Sequence, residues 1–165
     1  MFNSTVKIRL ESIMKNPAAF IITFSFFLFI VSFLFDYFTE LIEFKYGTKI
    51  IYTSRITNKE FSYKLVLSCF LAPIIETYFF QKAPYDILKK KNAKKWMIIL
   101  ISSSLFGLVH FSSFAYMLYG FFAGIVLITA YIYWEGLKLN KFIIVFIIHL
   151  IHNSLVLFSD LLNIK

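Results

Sequence analysis

Apolar residues fall in long uncharged blocks divided by short charged stretches, and the blocks approach the roughly 17–25 residues of a membrane-crossing helix. Residues 18–35 carry no charge, and Pro17 stands where a helix would start, a position that tolerates its missing N–H. A second block begins near Leu65 and runs at least to Gln81, broken by a single acid, Glu76. Residues 96–134 are uncharged but too long for one crossing; Ser112-Ser113 marks a turn that splits them into helices over about 96–111 and 115–134. A fifth block, 142–158, carries His149, His152 and Asn153. The pattern predicts an all-α membrane protein, a bundle of about five transmembrane helices. No repeat or low-complexity linker divides it, so residues 1–165 read as one transmembrane domain, with 1–64 a leading helix and loop. The basic stretch 1–16 suits an interfacial helix. No small-residue cleavage site follows the first block, which therefore reads as a retained anchor.

Composition agrees. The chain is 59% hydrophobic, 21% aromatic and 16% charged, too apolar to cover a soluble domain with charge and too aromatic for a disordered one. Its mean hydropathy is +0.75. One cysteine, Cys69, excludes an internal disulfide and a paired-cysteine metal site.

The excess of 17 Lys+Arg over 9 Asp+Glu would raise a nucleic-acid reading in a soluble protein. Here the cations lie between apolar blocks, where they orient helices. The run from Lys89 to Lys95 reads as a cytoplasmic anchor among membrane lipids, and no nucleic-acid partner is expected. With the N-terminus inside, 11 Lys and Arg face the cytoplasm and 6 the other side. This favours N-inside, C-outside, multipass in a prokaryotic cytoplasmic membrane.

Strongly polar groups at bilayer depth are costly and mark function by default. Glu76 lies 13 residues before Lys89 and His110 15 residues after Lys95, so an antiparallel hairpin sets both about 20 Å from one basic boundary. Pro84 is expected to kink the first arm. His149 and Asn153 are i and i+4 and share a face, at a similar depth. Glu76, His110, His149 and Asn153 can therefore converge inside the bundle. Singly, each has a plainer reading as a protonated hydrogen-bond partner, a packing residue or polar glue between helices. His152, turned partly from the His149–Asn153 face, is assigned a structural role, and Gly120 and Gly124 close helix packing. Together, a buried Glu and His can activate water while His and Asn donate to an oxyanion. The alternative is metal chemistry: Glu76, His110 and His149 match the ligand set of a catalytic zinc. No His-Glu-x-x-His helix occurs, and Ser102, Ser103, Ser104 and Ser154 lack a nucleophile-elbow context.

Three motifs then stand in order: Ala72-Pro73-Ile74-Ile75-Glu76-Thr77-Tyr78-Phe79-Phe80-Gln81, Phe106-Gly107-Leu108-Val109-His110, and His149-Leu150-Ile151-His152-Asn153. They resemble the CPBP family of CAAX proteases and bacteriocin-processing enzymes, also called Abi, over a core at residues 65–161. The resemblance implies an intramembrane endopeptidase with Glu76 and His110 activating water and His149 and Asn153 forming the oxyanion site. It implies a peptide or protein substrate, either lipidated or a leader or bacteriocin peptide. It leans toward glutamate-dependent chemistry without a bound cofactor, a divalent metal such as zinc being the other route. Two positions depart from the family pattern: Thr77 replaces a second Glu and Gln81 an Arg. Losing both leaves no orphan charge, and the two are expected to hydrogen-bond as a neutral support pair. Rival readings are a non-catalytic bacteriocin-immunity or partner-binding protein on the same fold, and a small transporter or proton relay.

Overall fold

The computed structural model describes residues 14–47, 49–50, 60–136 and 138–161. The expected interfacial helix at the N-terminus, and the cations Lys7, Arg9, Arg55, Lys59 and Lys165, lie outside the described residues. Within them, five helices form: α1 (Pro17–Tyr46), α2 (Phe61–Lys90), α3 (Lys95–Val109), α4 (Phe114–Tyr133) and α5 (Lys141–Leu161). No strand occurs among the described residues. Four of the five, all but α3, are long and apolar enough to cross a bilayer. The chain is an all-α membrane protein.

Local chemistry sets the helix ends. The Asn16 side chain accepts from Ala19 N at 3.1 Å and Pro17 opens α1. Gly47 closes it in the left-handed region, φ 63°, donating its N–H to Glu43 O. α1 therefore runs well beyond the expected boundary near Phe35. Its 30 residues rise about 45 Å, against about 30 Å of hydrocarbon. Hydropathy marks where lipid ends, whereas the helix stops only at a residue that can turn it. Ser113 caps α4 by accepting from Tyr116 N at 3.1 Å, as the expected Ser112-Ser113 turn requires. α3 is shorter than expected, 15 residues ending at Val109. It rises only about 22 Å.

α4 occupies the middle of the bundle, with half of its span buried, whereas 11% of the α1 span is. It packs on α3, α1, α5 and part of α2, burying Leu127, Ile128 and Tyr131 with Phe106 of α3 and Ile144 and Ile148 of α5. Exposed Ile22, Phe26, Phe29 and Phe33 on α1 are the lipid side of the peripheral helix.

α2 is continuous through Pro73 and Pro84. It widens to π-type pairing over Leu65–Leu71 and again over Thr77–Lys82, each time just before a proline. A proline donates no hydrogen bond and crowds the carbonyl of the preceding turn, so widening accommodates the ring and leaves carbonyls unclaimed. Ala72 N–H reaches back to Leu67 O. Pro73 cannot follow it to Ser68 O, which instead accepts from Asn153 Nδ2 of α5 at 2.8 Å. Beside Pro84, Phe80 O accepts from the Ser102 hydroxyl of α3. At each proline the helix continues through a widened turn, and a nearby carbonyl is claimed by a neighbouring helix.

Ser102 is accordingly a structural residue. Ser102→Ala removes the α3 donor to the Phe80 carbonyl, and unfolding in detergent should show a loss of about 1–2 kcal/mol. Ser104→Ala should stay within about 0.5 kcal/mol of wild type. Equal stability of the two variants would contradict the assignment.

Candidate active site

Glu76, His110, His149 and Asn153 line one cavity of about 380 Å³ bounded by α1, α2, α3, α4 and α5. Glu76 closes the short α-helical stretch between the two widened segments of α2 and is half-buried. His149 is 4% exposed. Its Nε2 lies 3.5 Å from Glu76 Oε2, while its Nδ1 is buried without a hydrogen-bond partner. A neutral ring with its proton on Nε2, facing the carboxylate, leaves only an acceptor unpaired. The structure thus joins Glu76 directly to His149 of α5, with His110 on the α3 side of the same cavity.

His110 sits where α3 stops. Its backbone N–H bonds to Gly107 O at 3.0 Å, which takes it away from Phe106 O. The side chain makes good the loss: Nδ1 donates to Phe106 O at 2.7 Å. A carbonyl only accepts, so Nδ1 carries the proton and Nε2 is the basic nitrogen of the neutral ring. The ring is packed between Phe106 and Tyr116, with centroids 4.7 and 4.8 Å away. Room for it depends on α4. A Cβ on Gly120 would lie 3.0 Å from His110 Cγ and Nδ1, and one on Gly124 3.0 Å from Ser103 Cα. The small-residue step expected to serve packing therefore also seats a site residue.

Asn153 spends one amide N–H on Ser68 O. An amide carries two such donors, so the bond to α2 fixes the side chain and one donor remains at the cavity that Asn153 lines. Among the described residues, no group of three His, Cys, Asp or Glu side chains lies close enough to hold a metal ion. Glu76 and His149 meet, but the three-ligand set with His110 is not drawn together.

Thr77 and Gln81 depart from expectation. Both are fully buried, and Thr77 Oγ1 and both polar atoms of the Gln81 amide lack a hydrogen-bond partner. They sit in the widened segment that packs on α3, α4 and α5, and the expected bond between them does not form.

Sequence reasoning set His152 apart, yet it lines the same cavity and is 5% exposed. Residues i and i+3 are also helix neighbours, and that spacing from His149 was the available signal. Tyr119 of α4 lies 2.5 Å from His152 Nε2 through its hydroxyl, and 2.9 Å from Ser32 Oγ of α1. Nothing in the uncharged runs around Tyr119 and Ser32 singles them out.

A family model described as type II CAAX prenyl endopeptidase, Rce1-like, matches residues 58–155. The chain belongs to this family. The match spans more than half of the sequence and contains all four candidate residues together with Tyr119 and His152; α1 precedes it. Comparisons with curated proteins and with solved structures found no match. The CAAX prenyl endopeptidase family is a protease family, and α1 brings to the cavity a wall outside the matched region through Leu28.

Gly120→Ala tests the seating of His110. The added methyl must push the ring by a few tenths of an ångström, loosening its bond to Phe106 O, with an overpacking cost of about 1–3 kcal/mol. Folded protein isolated by size exclusion should have lost at least about tenfold in turnover, as general-base steps are sensitive to position. Full turnover in this variant would contradict it.

Proposed function

We propose that the protein is an intramembrane endopeptidase that hydrolyses a peptide bond with water activated by Glu76 and His110. The observation that carries this reading is the meeting of Glu76 with His149 at 3.5 Å in a cavity shared with His110 and Asn153. Glu76 takes the proton of the attacking water, and the basic Nε2 of His110 shares that task. The water oxygen bonds to the scissile carbonyl carbon, and the carbonyl oxygen becomes an oxyanion. As Glu76 becomes protonated it releases His149 Nε2–H, which together with the second amide donor of Asn153 stabilises that charge. Collapse breaks the C–N bond, and the proton held by Glu76 passes to the leaving amine. Apolar residues, among them Leu28, Leu67, Ile75, Phe106 and Leu127, form most of the remaining wall. This wall supports a lipidated peptide substrate, and the family description supports a prenylated one. The distribution of Lys and Arg supports a prokaryotic cytoplasmic membrane with the N-terminus inside.

Cleavage of a fluorogenic prenylated peptide by purified protein in proteoliposomes tests the assignment. Glu76→Gln should lower turnover by about 10²–10⁴-fold, the scale of general acid–base catalysis. Asn153→Ala should lower it by about 10²–10³-fold, the scale of one oxyanion donor. Undiminished cleavage by Glu76→Gln would end this reading. Treatment with 1,10-phenanthroline should leave the rate unchanged; a loss reversed by zinc would reassign Glu76, His110 and His149 as ligands.

A further inference from the structure

The catalytic cavity holds a second polar group that the hydrolysis above does not use. Tyr119 and His152 both line the wall, their polar atoms 2.5 Å apart. Ser32 lies 2.9 Å from the Tyr119 hydroxyl and 3.4 Å from His152 Nε2, and its own hydroxyl donates to Leu28 O at 3.2 Å. With the Ser32 proton given to Leu28 O, one arrangement satisfies the chain: His152 Nε2–H donates to the Tyr119 oxygen, and Tyr119 O–H donates to Ser32. The alternative reverses the chain, with Ser32 donating to Tyr119 and Tyr119 to His152. In either sense the Tyr119 proton is spent within the group, so the Tyr119 oxygen meets an occupant as an acceptor, as for a peptide N–H.

The charge of the surroundings narrows the occupant. Among the described residues no Lys or Arg lines the cavity, and a buried carboxylate without a cation is strongly disfavoured. The remaining wall is mostly apolar, so a chain with one polar repeat and otherwise apolar contacts fits, and a peptide main chain has that character. We infer that Tyr119 and His152 form a main-chain subsite, binding an uncharged backbone amide beside the scissile bond. Ser32 of α1 holds the Tyr119 hydroxyl in place. The substrate terminus, with its carboxylate, extends away from this wall, and the cavity selects an internal bond. This inference rests on the endopeptidase reading and adds where the substrate chain is gripped.

Binding measured without turnover separates the two. In the Glu76→Gln background, the affinity of a fluorescent prenylated peptide is compared with that of analogues in which single backbone amides flanking the scissile bond are replaced by esters. One ester position should weaken binding about 3–10-fold, the scale of one hydrogen bond. Adding Tyr119→Phe, which keeps the ring, should weaken the all-amide peptide to a similar extent and erase the penalty of that ester. In the cleaving enzyme the same substitution should raise KM and leave kcat within about twofold. Additive penalties, or unchanged affinity in folded Tyr119→Phe, would overturn the subsite. Ser32→Ala provides a second route, lowering affinity in the same ester-dependent way if it orients Tyr119. Failure of wild type to cleave would count against the protease assignment alone, since the coupling is read from binding.

Discussion

Inside hydrocarbon there is no water to pair a spare carbonyl, and leaving one unpaired costs several kcal/mol. α2 creates that problem at Pro73, where the bundle solves it with a side chain from a neighbouring helix, and a second such bond lies beside Pro84. Asn153 reaches from α5 to Ser68 O and Ser102 from α3 to Phe80 O. The two bonds fix α2 against two different helices on either side of Glu76. The carboxylate is therefore held between two pinned points, and its approach to His149 follows from that frame.

The same logic runs through the other site residues. His110 completes the end of α3 by taking over the carbonyl its own N–H has left. One nitrogen is committed to backbone, and in the proposed hydrolysis the other acts as the base. Asn153 divides its two amide donors in a similar way. Side chains anchored to the main chain lose little further entropy when they act, which is the condition for preorganised stabilisation of developing charge. The glycines of α4 supply the complementary requirement, since only a bare backbone lets the His110 ring lie where it does.

Much of this was legible in the sequence because lipid makes the polar residues conspicuous. Glu76, His110, His149 and Asn153 stood out against apolar runs, simple helix rise set them at similar depths, and their motif order indicated the family. Other features carry no such contrast. The Gly47 stop that lengthens α1 is invisible to hydropathy, and the short α3 depends on where a turn closes. The widened turns of α2 arise from an interaction of Pro73 and Pro84 with partners on other helices. Tyr119 and Ser32 are residue types common in apolar helices, and only their meeting with His152 distinguishes them. The presumed Thr77–Gln81 bond failed for the converse reason, since i,i+4 spacing permits a contact without compelling it.

The unequal helices have a consequence for the surrounding bilayer. α1 is about 45 Å long and α3 about 22 Å, and α4 lies between them, touching both. The uncharged part of α1, residues 18–35, rises about 27 Å and fits about 30 Å of hydrocarbon, so the charged stretch from Asp36 to Tyr46 stands clear of it. Lipids beside α1 therefore keep their ordinary thickness while its polar end protrudes, whereas those beside α3 must shorten. The protein imposes a thickness gradient across its own perimeter, and a membrane soft enough to follow it is the one in which this fold rests with least strain.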